Sequence, residues 1–110
     1  MARVRKPQVT PPTRKRLSVS HRDRLIAEFR AAPGLAAEYL SAAAEDTDPR
    51  IYLTALRTVA EAQGMAKVAK AAGVPRESLY RALSSSGNPR FSTLHAILRA
   101  AGLKFAVESI

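Results

Sequence analysis

The stretch GVPRESLYRAL, residues 73–83, carries polar side chains of the types that hydrogen-bond to the edges of DNA bases. Arg76 and Arg81 can each pair with the O6 and N7 atoms of guanine, and Glu77 can accept from the N4 amino group of cytosine. Tyr80 can reach a phosphate or a thymine methyl group. These four residues are the candidate base-reading residues, and an ordinary solvated helix face is the alternative.

A helix-turn-helix motif over residues 65–84 would present this helix to a major groove, and the sequence meets the motif's steric demands. The fifth position needs a very small residue where the two helices cross, and it is Ala69. The ninth position must tolerate a positive φ, as Gly73 does. Ala82 is smaller than usual at the eighteenth position, and Leu83 beside it compensates. The apolar fourth, eighth, tenth and fifteenth positions are Val68, Ala72, Val74 and Leu79.

Other polar residues in and around the motif are placed to contact the DNA backbone, which fixes the register of a protein on DNA rather than its sequence preference. They are Lys67, Lys70, Ser78, Ser84, Ser86 and Arg90. Each is a weak signal taken singly, because an ordinary solvated side chain looks the same in a sequence.

The formal net charge of +9 indicates a polyanionic partner. Residues 1–24 hold eight Lys and Arg against one acid and so contribute +7. In the rest of the chain, residues 33–62 are net −3 and residues 63–91 are net +4. The basic part of the body therefore surrounds the candidate base-reading helix.

Two parts are expected: a basic disordered arm, residues 1–19, and one helical domain, residues 20–110. The arm contains Pro7, Pro11 and Pro12 and few apolar side chains, so it cannot bury enough surface to offset the entropy of ordering it. It is either a solubilising tail or an arm that contacts phosphates.

The alanine- and leucine-rich body predicts an all-α fold. Ser20 is expected to cap the first helix and Ser92 the last, and Asp48 followed by proline is a strong start signal for a central helix. The alternation of apolar and polar residues over 103–108 predicts a short C-terminal strand. Because a lone strand is marginally stable, we expect that strand either to pair with another chain or to pack on a helix.

Catalysis is not expected. The two histidines, His21 and His95, are isolated, and no acid is placed to orient His95 toward Ser92 on the same helix. The sequence has no glycine-rich phosphate loop, no metal-ligand spacing and no cysteine, so we expect no cofactor, no metal and no small-molecule substrate. With no apolar run of membrane-spanning length, the protein is expected to be cytoplasmic, without a membrane partner.

A resemblance to a known family covers about residues 33–107. It is carried by GMAKVAKAAGVPRESLYRALSSSGNPRFSTLHAILRAAGLKFAV and by the upstream AAEYLSAAAEDTDPRIYLTALRTVAEAQG. These runs resemble the addiction-module antidote proteins, the HigA-like branch of the Cro/C1-type (XRE) helix-turn-helix regulators. In similar proteins, residues like Arg76, Glu77 and Arg81 face bases, and those like Arg90 lie near the DNA backbone or minor groove.

The resemblance implies a five-helix, lambda-repressor-like body. It also implies a DNA-binding transcriptional regulator, the antitoxin of a type II toxin–antitoxin module, which represses its own operon. The implied partners are double-stranded operator DNA and a RelE/HigB-like toxin. The long basic arm departs from the family's pattern, and it leaves open whether the arm contacts DNA or toxin.

A homodimer is expected, because one short recognition helix contacts too few base pairs for useful specificity. Helix 92–101 and the terminal strand are the candidate dimer surface. The alternative function is a protein-interaction module that covers a toxin with weak or no specific DNA binding. The acidic segment 38–48 suits a basic toxin, although a solvated helix end is its more ordinary explanation.

Overall fold

The computed structural model describes residues 19–110, which form six α-helices. In chain order they are α1 (Val19–Ala31), α2 (Pro33–Ala43), α3 (Pro49–Gln63), α4 (Met65–Ala72), α5 (Arg76–Ala82) and α6 (Phe91–Ala100). The predicted all-α class is confirmed for these residues. None of these helices is both long enough and apolar enough to cross a membrane.

Helix α3 lies at the centre of the fold. It begins at the predicted signal, where the Asp48 side chain accepts a hydrogen bond of 3.0 Å from the Arg50 backbone N–H. Helices α1, α2, α4 and α6 all pack against it. Apolar or small side chains are buried around most of its circumference, namely Ile51, Ala55, Leu56, Thr58, Val59, Ala60 and Ala62.

Two arginines of α1 hold the C-terminal end of α3. Arg22 forms an ion pair with Glu61, whose carboxylate also accepts from Arg57 at 3.3 Å. The Nε–H of Arg30 donates to the Ala62 backbone carbonyl at 3.0 Å. This bond satisfies one of the carbonyls that the last turn of a helix leaves without an intrahelical partner.

The structure corrects the expected number of helices and the expected strand. Six helices form rather than five, since Pro33 cannot continue α1 and the extended Ala32 (φ −141°, ψ 91°) separates α1 from α2. The predicted strand is absent from the described chain. Residues 103–110 have no regular secondary structure, because these residues pair with no other strand.

Two helix starts also differ from the prediction. Helix α6 begins at Phe91, so Ser92 lies inside it and Arg90 occupies the cap position without a side-chain hydrogen bond. Helix α1 begins at Val19, one residue before the expected cap. Apart from Val19, the predicted arm lies outside the described residues.

Tyr39 of α2 is fully buried against α1. Its ring centroid lies 4.9 Å from that of Phe29, with the rings tilted by 52°. Within the described residues its hydroxyl makes no hydrogen bond of normal geometry. Burial raises the pKa of Tyr39 to about 12, and the nearby positive charge of Arg22 acts in the opposite direction.

We expect this tyrosine to make the fold sensitive to alkali. A native pKa above the unfolded value of about 10 means that folding favours the neutral phenol. The resulting stability, roughly 3 kcal/mol, is present below pH ~10 and is lost as the pH rises toward ~12. The Tyr39→Phe variant should escape this loss in urea unfolding at about pH 8 and about pH 11. Equal losses in both proteins would contradict the assignment.

Candidate functional site

Gly73 sets the turn between α4 and α5. It ends α4 in the left-handed conformation (φ 69°, ψ 31°), which favours glycine. Its N–H donates to the Lys70 carbonyl at 3.1 Å, and the Val74 N–H donates to the Ala69 carbonyl at 3.0 Å. This pair of bonds is a Schellman motif, which fixes the direction in which the chain leaves α4.

Buried side chains anchor α4 and α5 to the core. On α4, Val68 and Ala69 are buried, and Ala72 is half-buried. Leu79 of α5 and Leu83, directly after it, are also buried. The half-buried Val74 packs against the same core. One face of α5 is thereby held in place, and the opposite face is left to solvent.

The exposed face of α5 carries Arg76, Glu77 and Arg81, with Tyr80 half-buried beside them. A guanidinium nitrogen of Arg76 lies 3.5 Å from the Tyr80 hydroxyl, and its Cζ lies 5.7 Å from the ring centroid. The Cζ of Arg57, on α3, lies 5.5 Å from the same centroid. Two cations therefore lie within cation–π distance of one ring.

Arg57 is a residue of this site that sequence reasoning missed. It lies on α3 and Tyr80 lies on α5, so no local spacing connects them. Only the packing of the helices brings the guanidinium to the ring. A lone arginine on a predicted amphipathic helix gives no sequence signal for such a contact.

Ser84 and Ser78 contact Arg81 in different ways. The Ser84 hydroxyl donates to the Arg81 carbonyl at 2.7 Å, which satisfies a carbonyl at the end of α5. The Ser78 hydroxyl accepts from the Arg81 guanidinium at 3.4 Å. The exposed Ser86 has its hydroxyl oxygen 3.5 Å from that of Ser84. Ser84 thus has a structural role at the end of α5 that the sequence did not predict for it.

A shallow groove of about 300 Å³ runs between the α4–α5 turn and the start of α6. Ser78 and Arg90, both predicted to contact the DNA backbone, line it together. The loop between α5 and α6 is closely packed, since a Cβ atom on Gly87 would lie 2.1 Å from the Ala82 carbonyl oxygen. Only glycine fits at that position without a shift of the backbone.

We call the exposed charged residues of this region the α4–α5 surface: Lys67, Lys70, Arg76, Glu77, Arg81 and Arg90. Five of these residues are basic and one is acidic, so their net charge is +4. In the part of the chain that the structure describes, none of them forms an ion pair. The same part of the chain contains no group of side chains that could hold a metal ion. The arrangement suits an extended polyanion.

The acidic segment 38–48 contributes to the structure of the α2–α3 connection. A carboxylate oxygen of Asp46 accepts from the Asp48 N–H at 2.8 Å. Besides capping α3, the Asp48 carboxylate pairs with the Arg50 guanidinium at 2.8 Å. Two of the four acids in this segment therefore have local roles in starting α3.

A comparison with protein-family models identifies one family for this chain. A family model described as "probable addiction module antidote protein" matches residues 24–109. An uncharacterized protein of Haemophilus influenzae is 39% identical over 70 residues, which cover 64% of this chain and 72% of that protein. No solved structure matches the chain. Because the family match spans well over half of its length, the chain belongs to the probable addiction module antidote proteins, a family that implies a toxin partner.

Proposed function

We propose that this antidote is a sequence-specific DNA-binding transcriptional regulator in which α4 and α5 form a helix-turn-helix motif of the XRE type. In this proposal it is the antitoxin of a type II module, acts in the cytoplasm and represses its own operon. The observation that carries the proposal is the exposed face of α5. This face carries charged side chains, and the buried Leu79 and Leu83 hold the opposite side of the helix against the core.

Arg76, Glu77 and Arg81 are the proposed base-reading residues. Within the described residues, the side-chain hydrogen bonds of Arg76 and Arg81 lie inside α5 and are long, 3.5 Å and 3.4 Å, so most of their hydrogen-bonding capacity remains for a ligand. A carboxylate close to phosphates is repelled, and Glu77 is therefore better suited to accept from a cytosine amino group. Tyr80 also makes a cation–π contact with Arg76, in addition to its predicted contact with a base.

Lys67, Lys70 and Arg90 are the proposed phosphate contacts. All three are exposed and flank the reading helix, on α4 and at the start of α6. Ser78 lines the same groove as Arg90 and can donate its hydroxyl proton to a phosphate oxygen. These contacts would hold the protein in register on the duplex without contributing sequence preference.

The toxin partner that the family implies is proposed to be a RelE/HigB-like enzyme. The antidote itself is proposed to act by binding alone, with neither catalysis nor a cofactor. The acidic segment adds little support for a toxin site, because Asp46 and Asp48 are engaged in starting α3. If specific DNA binding is absent, the remaining function is to cover the toxin.

Replacing Arg76 and Arg81 together by alanine should abolish most of the sequence preference. Each bidentate contact to guanine contributes roughly 1–3 kcal/mol of discrimination, so the preference for operator over scrambled DNA should fall about 100-fold. The measurement is binding of the purified protein to labelled duplex from immediately upstream of its gene, beside a scrambled duplex, at several salt concentrations.

The matched control is the Arg24→Ala/Arg99→Ala variant, which removes two exposed positive charges that are not part of the α4–α5 surface, one on α1 and one on α6. It should retain the preference of the natural protein. If the natural protein binds both duplexes alike and its affinity collapses as salt rises, the basic residues bind phosphate only. The proposal for α5 would then be wrong, and the toxin-covering function would take its place.

Replacing Lys67 and Lys70 by alanine should produce a different signature. Loss of two phosphate contacts weakens binding to operator and scrambled DNA by similar factors and leaves their ratio unchanged. The slope of log affinity against log salt concentration should become shallower by about 2. An unchanged slope would show that these lysines do not contact phosphate.

A further inference from the structure

Arg57 is a residue of the central helix that reaches the candidate reading helix. Its guanidinium Cζ lies 5.5 Å from the ring centroid of Tyr80, within the range of a cation–π contact. Helix α5 packs mainly against α4, so this side-chain contact joins α5 directly to α3. The Tyr80 ring is half-buried and also packs against the core. Its position therefore depends on contacts from outside its own helix.

Glu61 holds the Arg57 side chain beside this ring. The Nε–H of Arg57 donates to the Glu61 carboxylate at 3.3 Å, one turn further along α3. The same carboxylate forms the ion pair with Arg22 of α1. The Arg57 and Glu61 side chains are 40% and 23% exposed, and water and salt screen such a partly buried pair less than a fully exposed one. Arg57 is thus held between a carboxylate on its own helix and an aromatic ring on α5.

The same Tyr80 ring contacts Arg76, a proposed base-reading residue. The Arg76 Cζ lies 5.7 Å from the ring centroid, and a guanidinium nitrogen lies 3.5 Å from the hydroxyl. Arg76 is exposed and starts α5. A long exposed side chain has high rotamer entropy, part of which is lost when it binds a base. A contact that limits this freedom before DNA arrives would therefore strengthen base reading.

The charge of Glu61 also accounts for two guanidinium groups beside one ring. Arg57 and Arg76 carry like charges, which repel each other. The Glu61 carboxylate offsets the charge of Arg57, whereas Arg76 has no ion-pair partner within the described residues. Arg57 can therefore contact the ring with reduced repulsion of Arg76, and Arg76 keeps its charge for a guanine.

We propose that Arg57 is a positioning residue for base reading. Held by Glu61, it fixes the Tyr80 ring, and the ring orients Arg76 toward the base edge. Arg57 itself touches no base and acts through Tyr80. The inference rests on the proposed function, because the orientation of Arg76 affects sequence preference only if α5 reads bases. The ordering of Arg76 by Arg57 belongs to the protein alone and is measurable without DNA.

The first test compares Arg57→Gln with a matched control, Arg22→Gln. Each variant removes one positive charge and one of the two ion pairs of Glu61, but of these two arginines Arg57 is the one in contact with Tyr80. Binding is measured to the duplex from upstream of the gene and to the scrambled duplex. Arg57→Gln should lower the preference for the operator about threefold to tenfold, and Arg22→Gln should leave it unchanged. Because the preference is a ratio of two affinities, a loss of folded protein cancels.

A double-variant cycle separates positioning from direct contact with DNA. The Tyr80→Leu background lacks the ring, so adding Arg57→Gln there should cause no further loss of preference. A further loss of the same size as in the natural protein would overturn the proposal. So would equal losses in Arg57→Gln and Arg22→Gln, because weaker support of Glu61 would then explain both. If Arg57→Gln weakens binding to both duplexes alike and makes the salt slope shallower by about 1, Arg57 is a phosphate contact instead.

The second test is NMR of the isotope-labelled full-length protein without DNA. The Tyr80 ring current should shift the side-chain Hδ resonances of Arg76 upfield, since its guanidinium lies over the ring. Arg57→Gln should reduce this shift and Arg22→Gln should preserve it. Arg76 resonances that are the same in the natural protein and in Arg57→Gln would show that Arg57 does not order Arg76, and the proposal would be wrong.

The two tests distinguish failure of this inference from failure of the proposed function. A natural protein that binds operator and scrambled DNA alike would refute base reading by α5. Loss of the Arg76 shift in Arg57→Gln would even then establish that Arg57 orders Arg76 through Tyr80. A clear operator preference that Arg57→Gln leaves intact would refute the positioning role and leave the function of α5 standing.

Discussion

Burial of helix α3 on most of its sides is the constraint on which the rest of the structure depends. Its small and apolar residues let four other helices approach, and α1, α2, α4 and α6 are all positioned by contact with it. Helix α5 packs mainly against α4 instead. The candidate reading helix therefore lies at the edge of the fold, supported by the core through few side chains and with one face entirely available.

This position matters because α5 is only seven residues long. A helix of that length is not stable by itself in water, so its geometry comes from its surroundings. The left-handed Gly73 sets its entry, the buried Leu79 holds its middle, and the Ser84 hydroxyl satisfies a carbonyl at its end. The backbone of so constrained a helix loses little further entropy on binding, which favours specific recognition.

Some charged side chains of the described residues are paired within the fold, and others are left without an ion-pair partner there. Glu61 is neutralised by Arg22 and Arg57, and Asp48 is engaged at the start of α3. The cations of the α4–α5 surface have no such partners within the described chain. A net positive field therefore lies beside the face that carries the polar side chains of α5, which favours the approach of a polyanion.

The sequence by itself determined what depends on neighbours within a few turns. Asp48 with its following proline predicted the start of α3, the alanine and leucine content predicted the helical class, and the residues of the antidote motif identified the family that the match over 24–109 shows. Tertiary structure alone decided the contact of Arg57 with Tyr80 and the groove shared by Ser78 and Arg90. It also left 103–110 without the predicted strand. The reason is physical. A helix forms through backbone hydrogen bonds between residues four positions apart, so its signals lie in the local sequence. A strand or a contact between helices requires a partner that the local sequence does not contain.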